Sequence, residues 1–502
     1  MIQYILGLFQ AVISGPMSYI AARFFLMIFA LTIFYYLLPL KFRWCVLLLG
    51  SGYFYFRITA SPKQLIVITL SIIVSYSAGL LIVKFQEKKS GSPISLLFLW
   101  LGILFSAFPL IASKCGSFLD NTLHRLPTVS WIVPIGLSFY SMQIISYLVD
   151  IYKGEIIPER NLLKYTLYVS FFPTIIQGPI SRYKQLGRQL FEGHRYDHDK
   201  TVDSLMLILW GLFLKYLIAD KASVIVNAIF DDYQSYTGLY ILIAAMLYSI
   251  QLYTDFLSCV TISQGVAGLF GINLIDNFKR PYFATSVKDF WRRWHISLSS
   301  WLRDYIYIPL GGNRKGTLRK YINLVITFLV SGLWHGESLK YLLWGLLHSI
   351  YQILGETLTV PKNYLFNKLS FPKDSRITKI ISTVFTFFLV MIAWIIFRAS
   401  NLKAGIHMLI SMFTSFNPWI LFDKSLYRLG LSQNEFNVLF VAILILLVVS
   451  VLQEKGIRIR SLIKSQNMAV RCAVYLVTIW IIWIFGTYGK GFDASGFIYG
   501  GF

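Results

Sequence analysis

Charge is what this sequence has least of. Only 14% of its 502 residues are Asp, Glu, Lys or Arg, against about 25% in a soluble domain. The shortfall argues against a soluble fold. The many long apolar runs, the 56% hydrophobic content and a mean hydropathy of +0.63 indicate an all-α polytopic membrane protein. Acids are scarcer still: 23 Asp and Glu stand against 46 Lys and Arg, a formal net charge of +23. In a soluble protein that balance would suggest nucleic acid. Here the basic residues sit between apolar runs, so no nucleic-acid partner is expected. The excess is read as positive-inside placement beside anionic lipids, with a share available to an anionic donor. Cysteine is rare too. Cys45, Cys115, Cys259 and Cys472 lie far apart with no C-x-x-C, which indicates neither a zinc site nor a disulfide framework; they are read as packing residues. Long polar stretches are missing, so no separate soluble domain is expected. Residues 1–16 carry no charged side chain and lack the basic n-region of a secretory signal. They are read as an N-terminal extension, with 17–502 as a single membrane domain.

Aromatic residues are abundant at 17%, as suits lipid-facing and interfacial surfaces. Because a full span needs about 20 residues, the recurring apolar runs predict about 11 to 13 spanning helices. Proline and glycine interrupt several runs, as in V-P-I-G-L-S at 133–138 and S-F-F-P-T-I-I-Q-G-P-I-S-R-Y at 170–183. Broken helices at membrane depth need protein or a watery cavity around them, so a cavity is expected. The basic loops 279–320, 362–379 and 455–471 alternate with the less basic 337–340 and 398–428. This predicts that the first three are cytoplasmic and the C-terminus is outside. The 182–200 loop agrees and the short 84–89 loop does not.

The stretch 278–336 organises the chain. Its first part, with F-W-R-R-W-H-I-S-L-S at 290–299, is basic and aromatic; its last part is an apolar run closing in S-G-L-W-H-G at 331–336. If a span starts near Lys320, His335 lies about 15 residues along it, roughly 22 Å into a core about 30 Å thick. An ionisable group at that depth is a functional candidate: a neutral imidazole can take a proton from a hydroxyl attacking an acyl carbonyl. The other reading is a histidine hydrogen-bonded between helices. Ser331, Gly332 and Gly336 permit close backbone approach under either. His295 reads as an interfacial histidine or as a residue that positions donor or acceptor. Arg292, Arg293, Arg303, Arg314 and Lys315 could hold phosphates or could simply mark the cytoplasmic side. Gly311 and Gly312 form a turn. In H-R-Y-D-H-D at 194–199 a metal site is not expected; Asp199 or Thr201 reads as a helix cap. His124, His348 and His407 have no supporting neighbours and are read as core or loop histidines.

These motifs, with P-I-G-L-S-F-Y-S-M-Q-I-I-S-Y-L-V-D-I-Y at 134–152 and Y-I-P-L-G-G-N-R at 307–314, resemble the membrane-bound O-acyltransferase (MBOAT) family, in its bacterial alginate O-acetyltransferase membrane-subunit type. The resemblance implies a ring of tilted helices around a thin centre, with cytosolic and external funnels. It gives His335 the place of the active-site histidine and His295 that of the second histidine. It also makes 497–502 an acyl-relay motif with Tyr499 as carrier, although Gly500 replaces the usual bulky residue. The implied activity is O-acetylation of an extracytoplasmic polysaccharide of the alginate, cellulose or peptidoglycan kind. No bound cofactor is expected; acetyl-CoA is the implied donor and an exported SGNH-type transferase the implied partner. D-alanyl transfer to teichoic acid from a carrier protein is the alternative within the enzyme class. A solute or proton transporter is the alternative outside it, although no internal repeat is evident.

Overall fold

The structure is a computed structural model and describes residues 17–59, 61–88, 92–123, 134–368 and 375–487. Among the described residues the regular structure is helical, with no strand. Seven helices are long and apolar enough to cross a membrane: Pro62–Glu87, Pro93–Ala112, His198–Asp231, Leu239–Leu269, Arg376–Arg398, Gln433–Glu454 and Met468–Phe485. Other apolar runs form shorter helices, Ala22–Leu37 and Leu402–Thr414. Still others form helices with polar and charged residues among the apolar ones, such as Gly316–His335 and Leu339–Thr357. Rows of large apolar side chains stay exposed, including Phe440, Val441, Leu447, Val448, Trp480 and Trp483. Water would penalise such surfaces, whereas hydrocarbon accommodates them.

The described chain divides into two compact units. One comprises the described residues up to Leu212 with Cys259–Ile275; the other comprises Phe213–Ser258 and the described part of Asp276–Thr487.

In the first unit both interrupted motifs have a clear role. Helix Leu137–Tyr152 begins at Gly136, whose φ is +77°. A Cβ there would come within 2.2 Å of the Ile175 carbonyl oxygen, so only glycine fits. The 170–183 motif ends helix Leu162–Ser170 and runs on as buried, non-helical backbone. Side chains meet its freed groups. The Tyr19 hydroxyl donates to the Phe172 carbonyl at 2.5 Å, the Phe172 N–H donates to Ser51 Oγ at 3.2 Å, and the Tyr168 hydroxyl donates to the Ser181 carbonyl at 3.1 Å. That is the condition under which irregular backbone survives away from water. At His198 the cap is Asp197, whose carboxylate accepts the Lys200 N–H at 3.1 Å, rather than Asp199 or Thr201. The upstream carboxylate reaches the free amide first. The cysteine reading needs one correction. Cys259 is buried, but Cys472 is exposed and so is no packing residue.

In the second unit, helices Gly316–His335 and Leu339–Thr357 pack backbone to backbone. A Cβ on Gly332 would meet the Tyr341 carbonyl oxygen at 2.3 Å, and one on Gly345 the Phe328 carbonyl oxygen at 2.3 Å. Small residues allow this approach where no hydrophobic force drives helices together. A π-helical turn, Leu214–Ala219, buries Lys215 between two carboxylates: its ammonium lies 2.7 Å from Asp255 and 3.0 Å from Asp220.

Candidate active site

The turn 311–316 sets up the site. Gly311, Gly312 and Gly316 all take positive φ, and the Asn323 side-chain amide donates to the Gly312 carbonyl at 3.1 Å, tying the turn to the helix it feeds. Helix Gly316–His335 then runs 20 residues and stops at Gly336. A Cβ at Gly336 would lie 2.0 Å from the Tyr341 ring, so any other residue there would have to displace that buried ring. His335 is therefore the last helical residue. It is buried, 3% exposed, among aromatic rings: Trp334 at 4.8 Å, Trp344 at 5.1 Å and Phe397 at 5.4 Å between centroids. Ser331 lies one turn before it and Thr327 two turns before, all on one face.

His295 sits at the joint between the short helices Val287–Arg293 and Ile296–Leu302, with φ +44° and ψ +55°. The ring is buried in protein, 1% exposed, and the left-handed joint sets its direction. It packs on Phe256 at 4.7 Å and on Trp334 at 6.0 Å. Trp334 thus touches both His295 and His335. Nδ1 of His295 lies 3.4 Å from Asn277 Oδ1, and the same oxygen accepts from the Ser297 N–H and hydroxyl, each at 2.9 Å. Burial pushes the His295 pKa down to about 3, so the ring is neutral at physiological pH.

Beside these residues opens a cleft of about 460 Å³. Lys288, Arg292, Arg303 and Lys320 give it a basic lining, and Trp291 and Phe328 an apolar one. Of the five basic residues singled out in the sequence, the cleft takes Arg292 and Arg303. Arg293 is engaged elsewhere: it pairs with Asp289 at 3.1 Å and with Glu454 at 2.9 Å, and Glu454 also holds Arg280 at 2.5 Å. Arg314 and Lys315 are exposed in the turn and do not line the cleft. Sequence reasoning misses Lys288 and Lys320. The first is three residues before Trp291 and four before Arg292, a helical face that a run of basic residues does not reveal; the second reads only as the start of a span. Lys320 also pairs with Glu356, another cleft residue.

The cleft lining does not include His335. Trp291 and Phe328 pack on each other at 5.1 Å, Trp291 packs on Trp344 at 5.7 Å, and Trp344 on His335. His348 is indeed a core histidine but not an idle one: its Nδ1 accepts the Trp291 indole N–H at 3.2 Å. His407 packs edge-to-face with Tyr233 at 5.5 Å between centroids. Among the described residues no group of His, Cys, Asp and Glu is arranged to hold a metal. His124, Tyr499 and the 497–502 motif lie outside the described residues.

Seven apolar helices and broken backbone held by side chains indicate a multi-pass membrane protein. The profile of the membrane-bound O-acyltransferase family matches residues 124–400. The chain belongs to that family. It is similar to the proteins named "probable alginate O-acetylase" of Pseudomonas putida, 39% identical over 63% of this chain and 62% of that one, and of Azotobacter vinelandii, 33% identical over 84% and 82%. It is also similar to the peptidoglycan O-acetyltransferase of Helicobacter pylori, 32% identical over 73% of each chain. The match spans about three fifths of the length of the Pseudomonas relatives, 62%, 60% and 57%.

Proposed function

We propose that this protein is an O-acetyltransferase of the bacterial cell membrane. It takes acetyl from cytosolic acetyl-CoA and passes it across the bilayer toward hydroxyl groups of an extracytoplasmic polysaccharide. An exported SGNH-type transferase completes the delivery. Family membership and the names of the relatives support the class of reaction. The observation that carries the reading is a buried imidazole, His335, in the same unit as a cleft lined by Lys288, Arg292, Arg303 and Lys320.

The chemistry follows from those groups. The basic lining attracts the phosphates of a coenzyme. His335 takes the proton of an acceptor hydroxyl as its oxygen bonds to the acetyl carbon. The carbon–sulfur bond then breaks, and the proton leaves with sulfur as the free thiol. The acceptor is a sugar hydroxyl or, on the relay reading, Tyr499. His295, neutral and tethered near Asn277, orients donor or acceptor. The alternation of basic loops supports a cytoplasmic cleft and an external C-terminus.

The experiment follows acetyl-CoA consumption and polymer acetylation by purified protein with its partner. His335→Ala should lower both by a factor of 10² or more, the range expected for loss of a general base; full retention would overturn the reading. The relatives include a teichoic acid D-alanyltransferase of Bacillus subtilis, 27% identical over 59% of this chain. Activity from an aminoacylated carrier and none from acetyl-CoA would move the assignment there.

A further inference from the structure

Asn277 belongs to no helix, yet it is 1% exposed and ties together the joint that carries His295. Its backbone carbonyl accepts the Ile296 N–H at 3.0 Å, and its Oδ1 accepts from the Ser297 N–H and hydroxyl at 2.9 Å each. A backbone N–H only donates, so the atom facing Ser297 must be the amide oxygen, and the side chain cannot be turned over. His295 Nδ1 stands 3.4 Å from that same oxygen. Two electron pairs would repel there, whereas an N–H and an oxygen attract. The neutral ring therefore carries its one hydrogen on Nδ1 and an open electron pair on Nε2. Among the described residues, His295 Nε2 and Asn277 Nδ2 are buried without a hydrogen-bond partner. The first accepts and the second donates. Buried polar atoms left in this way are uncommon and costly. A hydroxyl answers both, because it donates one hydrogen and accepts another. An acetyl thioester carbonyl, which only accepts, has nothing to give Nε2.

We propose that Asn277 is a positioning residue that locks His295 as the Nδ1–H tautomer, so that Nε2 receives a hydroxyl of a sugar acceptor, with Asn277 Nδ2 as donor to that hydroxyl's oxygen. The proposal rests on the reading of His335 as the base for a sugar hydroxyl. The hydroxyl at Nε2 is a second one, not the one that reacts. Both histidines pack on the same indole, Trp334, at 6.0 Å and 4.8 Å between centroids, so two hydroxyls of one guest have separate partners around one ring. The substrate class is thus a polyol; a monohydric alcohol brings only the reacting hydroxyl. Asn277 touches no reacting atom and acts through His295. Its other use, tying down the start of helix Ile296–Leu302, needs only its two oxygens and leaves Nδ2 without work.

Two measurements on the full chain in vesicles test the lock and the hydroxyl apart. With isotope-labelled histidine nitrogens, the magnetic resonance signals of His295, identified by their loss in His295→Asn, should show hydrogen on Nδ1 and none on Nε2. Hydrogen on Nε2 would overturn the lock. So would an unchanged spectrum in Asn277→Leu, where both tautomers should appear; if that variant does not fold, the parent spectrum alone decides. The second measurement compares ethylene glycol with ethanol as acetyl acceptors from acetyl-CoA. The parent should favour the glycol in kcat/KM by about tenfold or more, because a site that hydrogen-bonds a hydroxyl discriminates against its absence. Asn277→Leu should lose that preference. Asn277→Asp, which keeps an oxygen for Nδ1–H and for Ser297, should retain part of it. A purely structural role would lower both rates together and keep their ratio, and that outcome would overturn the hydroxyl. Acetylation of neither alcohol, with the tautomer as stated, would overturn the hydroxyl and the acceptor reading beneath it and leave the lock standing.

Discussion

His295 is held in a left-handed backbone conformation that costs a side chain with a Cβ about 1–2 kcal/mol and that the fold must over-determine. Such strain collects where a side chain has to be aimed, and here it aims the ring at Phe256 and Trp334. Asparagine tolerates this region and valine does not. His295→Asn should therefore fold, and His295→Val should lose about 1–3 kcal/mol in thermal unfolding of the detergent-solubilised protein. The pH dependence has a definite sign. The unfolded imidazole binds a proton below about 6.5, while the buried one resists until about 3. Stability is thus level above about 6.5 and falls as pH drops through that window. His295→Asn should make this acid limb shallower, the remainder belonging to the likewise buried His348, and an unchanged limb would count against the burial. The sequence marks His295 as chemically interesting, but its neighbours Arg292 and Arg293 suggest a headgroup level. A positive φ leaves no trace in composition, so the inward turn is not readable there.

At the scale of helices, the close pair around His335 is half legible. Ser331, Gly332 and Gly336 announce a tight approach; Gly345 on the facing helix looks like any other glycine until the Phe328 carbonyl appears beside it. Gly345→Ala should cost about 1–3 kcal/mol by overpacking and lower activity, because the backbone it displaces carries His335. The Lys215 cluster is invisible in the sequence for a different reason. Its partners lie 5 and 40 residues away, and only the fold joins them. Lys215→Met leaves two buried carboxylates facing each other and should cost about 3–5 kcal/mol, read as a loss of melting temperature. Asp220→Asn, which removes the surplus negative charge, should cost markedly less.

For the molecule as a whole, the membrane class is plain in the scarcity of charge, because nothing soluble tolerates so many apolar runs. The number of spans is not, because runs such as 320–336 join helices that also carry site residues, and polarity needed for the site erodes the hydrophobic signal. The basic cluster is legible as a kind and not as a set: charge predicts attraction, while only helical phase tells Arg292 in the cleft from Arg293 on Glu454. Replacing Lys288 and Arg292 together by alanine should raise the KM for acetyl-CoA about tenfold with little change in kcat. The gap should narrow in high salt, because exposed charges are screened within about 10 Å at 0.1 M. Glu356→Gln, which frees Lys320, should lower that KM.

Glu454 closes the long apolar helix Gln433–Glu454 and clasps Arg280 and Arg293, which flank the start of the segment leading to His295. That helix presents Phe440, Val441, Leu447 and Val448 outward, so its tilt answers to the thickness of the surrounding hydrocarbon. Through one carboxylate, a change of tilt in this helix would pull on Arg280 and Arg293, and with them on the segment that carries His295. Turnover in vesicles of graded chain length should pass through a maximum, and Glu454→Gln should blunt it.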